Sequence, residues 1–240
     1  MFISDVIIER INANQHRFYA NDNVSQFINE GELPSLEDEL TKRFEDVLHT
    51  LLIDWKNDPN SKNTPRRLAK MYIHELMRGR FYPAPKVTAF PNEKEMFVRA
   101  DNQRPAYSYS GLLVVPAEIT SMCSHHHSIV RGMVYIGILP GDRVIGLSKY
   151  VRLAQWLARR GTLQEQLTED IMKEIQKASG TKDVAVVSVL THGCMSCRGI
   201  EEYNPYVSSA ELGGRFYDEP ELRSELYKHI DLIEEQRRRG

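Results

Sequence analysis

One change of hydrophobic period divides this chain. Up to Gly79, apolar residues recur at three- and four-residue steps, the spacing of amphipathic helices. Pro83, Pro85 and Pro91 then break the chain, and beyond them the apolar positions alternate or run continuously, as strands require. The expected fold is α+β, a helical N-terminal part followed by one body, and 240 residues allow one domain or two. The expected division is an N-terminal extension at 1–34, a helical region at 35–92, a body at 93–217 and a charged tail at 218–240.

Local signals give the elements. Residues 1–34, rich in Asn, Asp and Glu, read as a weak helix plus a loop. Leu36, Leu40, Phe44, Val47, Leu48, Leu51 and Leu52 form one stripe to about Trp55, with Ser35 placed to cap and Asp38 three residues on. Thr64 and Pro65 read as the cap and first position of a helix ending at Gly79. Residues 112–122 and 129–139 are predicted strands, and Pro140-Gly141-Asp142 a turn. Ser148 is expected to cap a helix running to Arg160, and Thr162 to begin another with Leu163, Leu167, Ile171 and Ile175 on one stripe. Residues 184–190 form a buried-strand run, and the tail from Asp218 reads as a surface helix.

Charge and cysteine use narrow the function classes. With 31 basic and 33 acidic residues the formal net charge is -2, so no global field draws the chain to nucleic acid or an anionic membrane. No apolar run approaches the ~20 residues of a membrane span, and the N-terminus lacks the pattern of a secretory signal, so a cytoplasmic setting is expected. Cys123, Cys194 and Cys197 are too few, and odd in number, for a disulfide framework.

Their neighbours carry the chemistry. Cys123-Ser124-His125-His126-His127 follows one predicted strand and His192-Gly193-Cys194-Met195-Ser196-Cys197 another. Cys-x-x-His and His-x-Cys are spacings at which a turn aims two side chains at one ion, and thiolates with imidazoles suit zinc. Three ligands leave an open catalytic position; four, with Cys197 added to Cys123, His126 and Cys194, close a structural site. A redox pair at Cys194 and Cys197 is weaker, because a thioredoxin-type motif opens a helix and Arg198-Gly199-Ile200 does not continue one. The bland reading, buried thiols and hydrogen-bonded histidines, explains single residues better than a cluster.

The order of motifs resembles the GTP cyclohydrolase I family from about Leu36 to Phe216. Thr64-Pro65-Arg66-Arg67-Leu68-Ala69-Lys70-Met71-Tyr72 is similar to its TPxR(V/I)AKMY helix, Cys123 to His126 to its Cys-Glu-His-His, and Val144 to Lys149 to its (V/I)(I/L)GLSK segment. Leu163 to Thr168 resembles VQERLT, Gly180 to Val186 resembles GTxxVAV, and His192 to Gly199 resembles HxCxxxRG.

The resemblance implies a T-fold, an antiparallel sheet with two helices on one face, assembled as a homodecamer of two pentamers with sites at subunit interfaces. It implies zinc held by Cys123, His126 and Cys194, with His125 and His192 as catalytic histidines. The substrate implied is GTP, its triphosphate met by Arg67, Ser148, Lys149, Arg152 and Arg198 and its guanine by Glu165 with Gln164. Independently, Lys149 and Arg152 lie three residues apart on one helix face, a spacing that equally suits a solvated face shared with Arg159 and Arg160. Thr162 and Glu165 likewise read as a capping box. The implied reaction opens the imidazole ring of guanine, releases formate and yields 7,8-dihydroneopterin triphosphate.

Three departures stand out. The family's glutamate between its cysteine and histidines is Ser124, which has neither charge nor reach, and His127 stands where an apolar residue is common. The segment 204–212 also lacks a Thr/Ser-rich run. A diverged T-fold protein binding purines or pterins with altered chemistry, and a non-enzymatic structural-zinc module, are the rival expectations.

Overall fold

The computed structural model describes residues 2–92 and 109–239; the expected body boundary at 93 lies outside the described residues. The chain forms two compact units, one comprising residues up to Ala84 with Arg159–Thr162, the other Pro85–Ala158 with the chain from Leu163 onward.

The first unit is helical: α1 (Ile3–Ala13), a 3-10 turn at Ser25–Phe27, α2 (Glu32–Thr50), α3 (Thr64–Lys70), a π turn at Met71–Leu76 and α4 (Arg78–Phe81). Ile7, Ile11, Val24 and Phe27 form its core, with Leu36 and Phe81 against them. The long helix starts at Glu32 rather than at a Ser35 cap. Arg10 grips the Glu32 carboxylate through two hydrogen bonds of 2.8 Å, and the Asn29 amide donates to it at 2.7 Å. A carboxylate held in the first turn also faces the positive end of the helix dipole, which anchors the start one turn early. The helix expected from Thr64 to Gly79 is interrupted by the π turn, where His74 bonds Glu37 and Tyr82, both at 2.6 Å. Arg160 is buried and donates to the carbonyls of Gly79 and Asn21, so it serves this unit's interior instead of solvating a helix face.

In chain order the remaining elements are β1 (Ala89–Pro91), β2 (Leu113–Cys123), β3 (Ile129–Ile138), β4 (Arg143–Ile145), α5 (Leu147–Ala158), β5 (Gly161–Thr162), α6 (Gln164–Ser179), β6 (Val184–His192), α7 (Gly193–Ser196), β7 (Tyr206–Leu212), α8 (Arg215–Asp218) and α9 (Pro220–Arg239). In the second unit β2, β3, β6 and β7 lie side by side in that order, all antiparallel, and β1 pairs with β4.

Period-two alternation sorts the side chains onto two faces. Val115, Ala117 and Ile119 of β2, Val134, Ile136 and Ile138 of β3, and Val184, Val186 and Leu190 of β6 pack with Leu153, Leu157, Leu167, Ile171 and Ile175 from α5 and α6. Tyr135, Ala185 and Val187 face the other way, onto Phe216, Leu222, Leu226 and Ile230. Both sheet faces are therefore covered, which explains why β6 is apolar on both faces from Val184 to Leu190 except at Ser188. The tail, expected as a surface helix, is α9, and its stripe of Leu222, Leu226 and Ile230 closes the second face. Among the described residues no helix is long and apolar enough to cross a membrane.

Glu32 supplies a pH test of the first unit. The Arg10 hydrogen bonds, foremost, hold its carboxyl down at about 2, below its ordinary 4.5. A lowered folded-state pKa contributes stability that is complete above the ordinary value and disappears as pH falls toward 2. Thermal melts of wild type and Glu32→Gln are expected to differ most above pH 5 and to converge near pH 2; a constant difference would contradict this assignment.

Candidate active site

Antiparallel pairing collects the chemistry at one end of the sheet. β2 ends there at Cys123, β3 begins there, and β6 ends there at His192, with Met122 opposite Ile129 and Val130 opposite His192. Between β2 and β3 the chain reverses through residues 123–128. The Cys123 amide donates to the Ser128 carbonyl and the His127 amide to the Cys123 carbonyl, both at 2.9 Å. This turn leaves His125, His126 and His127 exposed, with the first two rings edge to face at 6.3 Å.

After β6 the short α7 folds back beside the start of β3. A Cβ on Gly193 would stand 2.9 Å from the Ile129 carbonyl oxygen, so only glycine lets the backbone approach this closely. The approach joins the two cysteine motifs: the half-buried Cys194 packs against the core cluster that contains the buried Cys123, close enough for the Cys123 sulfur to act on its thiol. Burial pushes the Cys194 thiol up, the Cys123 sulfur adds to the effect, and Arg198 opposes it. Cys197 is exposed, its sulfur 3.6 Å from Ser196 Oγ.

Among the described residues no group of three or more His, Cys, Asp or Glu side chains stands ready to hold a metal ion. The donor chemistry nonetheless fits zinc. Two thiols this close oppose each other's ionisation, a conflict that a bound cation removes, and His126 lies on the turn that begins at Cys123. Ser121, two residues before Cys123, is buried with no hydrogen-bond partner for its hydroxyl among the described residues.

A buried polar cluster adjoins the thiols. His192 Nε2 lies 2.6 Å from Gln164 Oε1, and Gln164 Nε2 donates to Ser188 Oγ and the Val207 carbonyl, both at 3.0 Å. Thr168, Ser188 and Ser209 hydroxyls lie within 2.9 Å of one another. Gln164 is 4% exposed, so its carboxamide is committed inside the chain. Sequence reasoning missed the three hydroxyl residues. Their signal was Ser188, which interrupts a row of valine and leucine and pairs directly with Ser209.

Burial lowers the His192 pKa, and the Glu165 carboxylate opposes that shift. Glu165 itself is exposed in the first turn of α6. The expected capping box is not formed: Leu163 precedes the helix in extended conformation, there is no side-chain cap, and Thr162 is buried in β5. Ser148 is similarly not a cap but the second residue of α5, while the buried Tyr150, Leu153, Ala154 and Leu157 mark the opposite face. Ser148 and Arg152 are exposed and Lys149 half-buried, and neither cation has an ion pair among the described residues. Arg198 is exposed in the segment after α7. Arg67 belongs to α3 of the first unit.

A partly buried imidazole beside two thiols, with an exposed carboxylate and cations that have no ion pair among the described residues, combines groups that can move a proton with groups that can meet an anion. Comparison with known proteins makes the class specific. The profile of the family described as GTP cyclohydrolase I matches residues 40–231. Proteins named GTP cyclohydrolase 1 from Aeromonas hydrophila, Haemophilus ducreyi and Flavobacterium johnsoniae are each 36% identical to it. The alignments cover 75%, 80% and 81% of this chain and 77%, 83% and 82% of those proteins, respectively. The chain belongs to the GTP cyclohydrolase I family of hydrolases.

Gly193→Ala tests the junction of the two motifs. Overpacking against the Ile129 carbonyl is expected to cost about 1–3 kcal/mol in denaturant unfolding. Unchanged stability would show that the two segments need not approach this closely.

Proposed function

We propose that this protein opens the guanine imidazole ring of GTP by zinc-dependent hydrolysis, releases formate and forms 7,8-dihydroneopterin triphosphate. The observation that carries the reading is the meeting of Cys123 and Cys194 at the sheet end that also bears His192, inside a chain of this family. Zinc would be held by Cys123, Cys194 and His126. When bound it supplies an activated water for hydrolysis.

The chain's own residues divide the remaining work. His192, partly buried and influenced by the Glu165 carboxylate, is suited to carry a proton to N7 as the ring opens. His125, exposed on the same turn as His126, takes the general acid/base role in the later proton transfers. Glu165 offers two oxygens to N1–H and the exocyclic amine of guanine, a pair of parallel donors that adenine does not present. Ser148, Lys149, Arg152 and Arg198 receive the triphosphate. Gln164 acts on this site from within, through His192.

The fold reading is a T-fold, supported by the antiparallel sheet with α5 and α6 together on one face. The assembly reading is a decamer of two pentamers. It is supported by β7, which pairs with β6 alone in the order found and carries the exposed Tyr206. Three free cysteines suit the reducing cytoplasm.

Zinc-loaded protein incubated with GTP is expected to release formate and, after oxidation and dephosphorylation, to give fluorescent neopterin. No formate with zinc intact would overturn the reading. Cys194→Ser is expected to lose zinc while Cys197→Ser retains it; equal loss would indicate a closed four-ligand site. Glu165→Ala is expected to lower kcat/KM by about 10²-fold, the loss of a charged hydrogen-bonding pair, as measured by formate release.

A further inference from the structure

Gln164 reaches from the start of α6 to both a catalytic histidine and the sheet, and its amide can point only one way. One end of the carboxamide lies 3.0 Å from the Val207 carbonyl oxygen and 3.4 Å from that of Ser188. Backbone carbonyls only accept hydrogen bonds, so this end must be the NH2 group; a flipped amide would press an oxygen against two oxygens. The other end, Oε1, therefore faces His192 Nε2 at 2.6 Å. A carbonyl oxygen also only accepts, so Nε2 must carry a proton.

The hydroxyls reinforce this orientation. Thr168 Oγ1 donates to the Gln164 backbone carbonyl at 2.8 Å, which leaves it an acceptor toward Ser188 and Ser209, each 2.9 Å away. Ser188 Oγ thus has its own proton engaged within the trio and presents a lone pair to the Gln164 NH2 at 3.0 Å. Nε2 is held by Gln164, and among the described residues Nδ1 of His192 has no hydrogen-bond partner.

We infer that Gln164 is a positioning residue: it fixes the His192 ring with the proton on Nε2, so that Nδ1 is the nitrogen this histidine presents to substrate. This deepens the proposed function and rests on it for the role of His192; the tautomer itself does not. In the imidazole form the lone pair is on Nδ1, and in the imidazolium form the Nδ1 proton is the one not engaged by Gln164. Carboxamides and hydroxyls do not titrate near neutrality, so Gln164, Thr168, Ser188 and Ser209 hold this arrangement without changing charge.

The test uses zinc-loaded protein with heavy-nitrogen-labelled histidine and no GTP. A long-range proton–nitrogen spectrum, with the His192 signals assigned by their loss in His192→Gln, should show Nε2 as the protonated nitrogen and Nδ1 as the bare one in the neutral ring. A neutral ring protonated on Nδ1 would overturn the inference, whatever the activity. In turnover, Gln164→Leu should lower kcat by about 10²-fold, the scale of one acid–base contribution, with KM changed by less than about 3-fold. Gln164→Glu keeps an oxygen facing Nε2 and should recover kcat to within about 10-fold of wild type, although it places a carboxyl group beside two carbonyls. A rise in KM at unchanged kcat would make Gln164 a purine contact, and equal kcat for the Leu and Glu variants would leave it only a structural role; either result overturns the inference. Failure of the wild type to release formate would overturn the proposed reaction and leave the tautomer measurement standing.

Discussion

The register between β3 and β6 is the constraint on which the rest depends. With Val134 opposite Ser188 and Val130 opposite His192, the even-numbered residues of β6 face α5 and α6, and the strand delivers Cys194 beside Cys123. A slip by one residue would turn His192 and Ser188 to the α9 face and send Ala185 and Val187 into the other core. Because both faces are buried, such a slip exposes no apolar side chain to water. The penalty comes from volume and polarity: Ser188 would leave Gln164 unsatisfied and enter a layer built of Tyr135, Phe216 and Leu226. The polar cluster thus specifies register where hydrophobicity alone is nearly indifferent.

That cluster lies within an otherwise apolar layer. Each hydroxyl between α6 and the sheet forfeits hydration that a valine would not need, and only complete hydrogen bonding offsets the loss. Gln164, Thr168, Ser188 and Ser209 are mutually satisfied, whereas the Ser121 hydroxyl, in the row of Val130 and His192 on the same face, has no partner among the described residues. The satisfied group belongs to the sheet and holds His192. The unsatisfied one lies two residues from Cys123.

Much of this was legible in the sequence where a periodic signal acted alone. The strands at Leu113–Cys123 and Ile129–Ile138 and the stripe Leu167, Ile171, Ile175 follow directly from alternation and helical spacing. Local capping signals fared worse because distant partners overrode them. Glu32, tied to Arg10 across 22 residues, starts its helix ahead of Ser35, and Thr162 is withdrawn into a strand before it can cap α6. The burial of α9 was obscured by the charges between Leu222, Leu226 and Ile230. At the site, residue types identified the thiols and histidines. The role of Gln164 depends on which carbonyls surround its amide, and backbone carbonyls leave no mark in a sequence.

Burial separates the site residues by task. Cys123, Gln164 and, in part, His192 are enclosed, their positions set by strands or by the start of α6, which suits the roles proposed for them in holding a metal ion or a proton in one place. His125, His126, Glu165, Arg152 and Arg198 lie exposed on turns or within the first two turns of a helix, where side chains can adjust to a large polyanionic ligand such as the one proposed. The enclosed set works in low dielectric and carries the shifted ionisations, His192 lowered and Cys194 raised by burial. The exposed cations have no ion pair among the described residues at a formal net charge of -2, so the attraction proposed for a triphosphate would be local and screened by salt beyond about 10 Å. Recognition of the anion should therefore weaken with ionic strength, while the proton geometry at His192, fixed by uncharged amide and hydroxyl groups, should not.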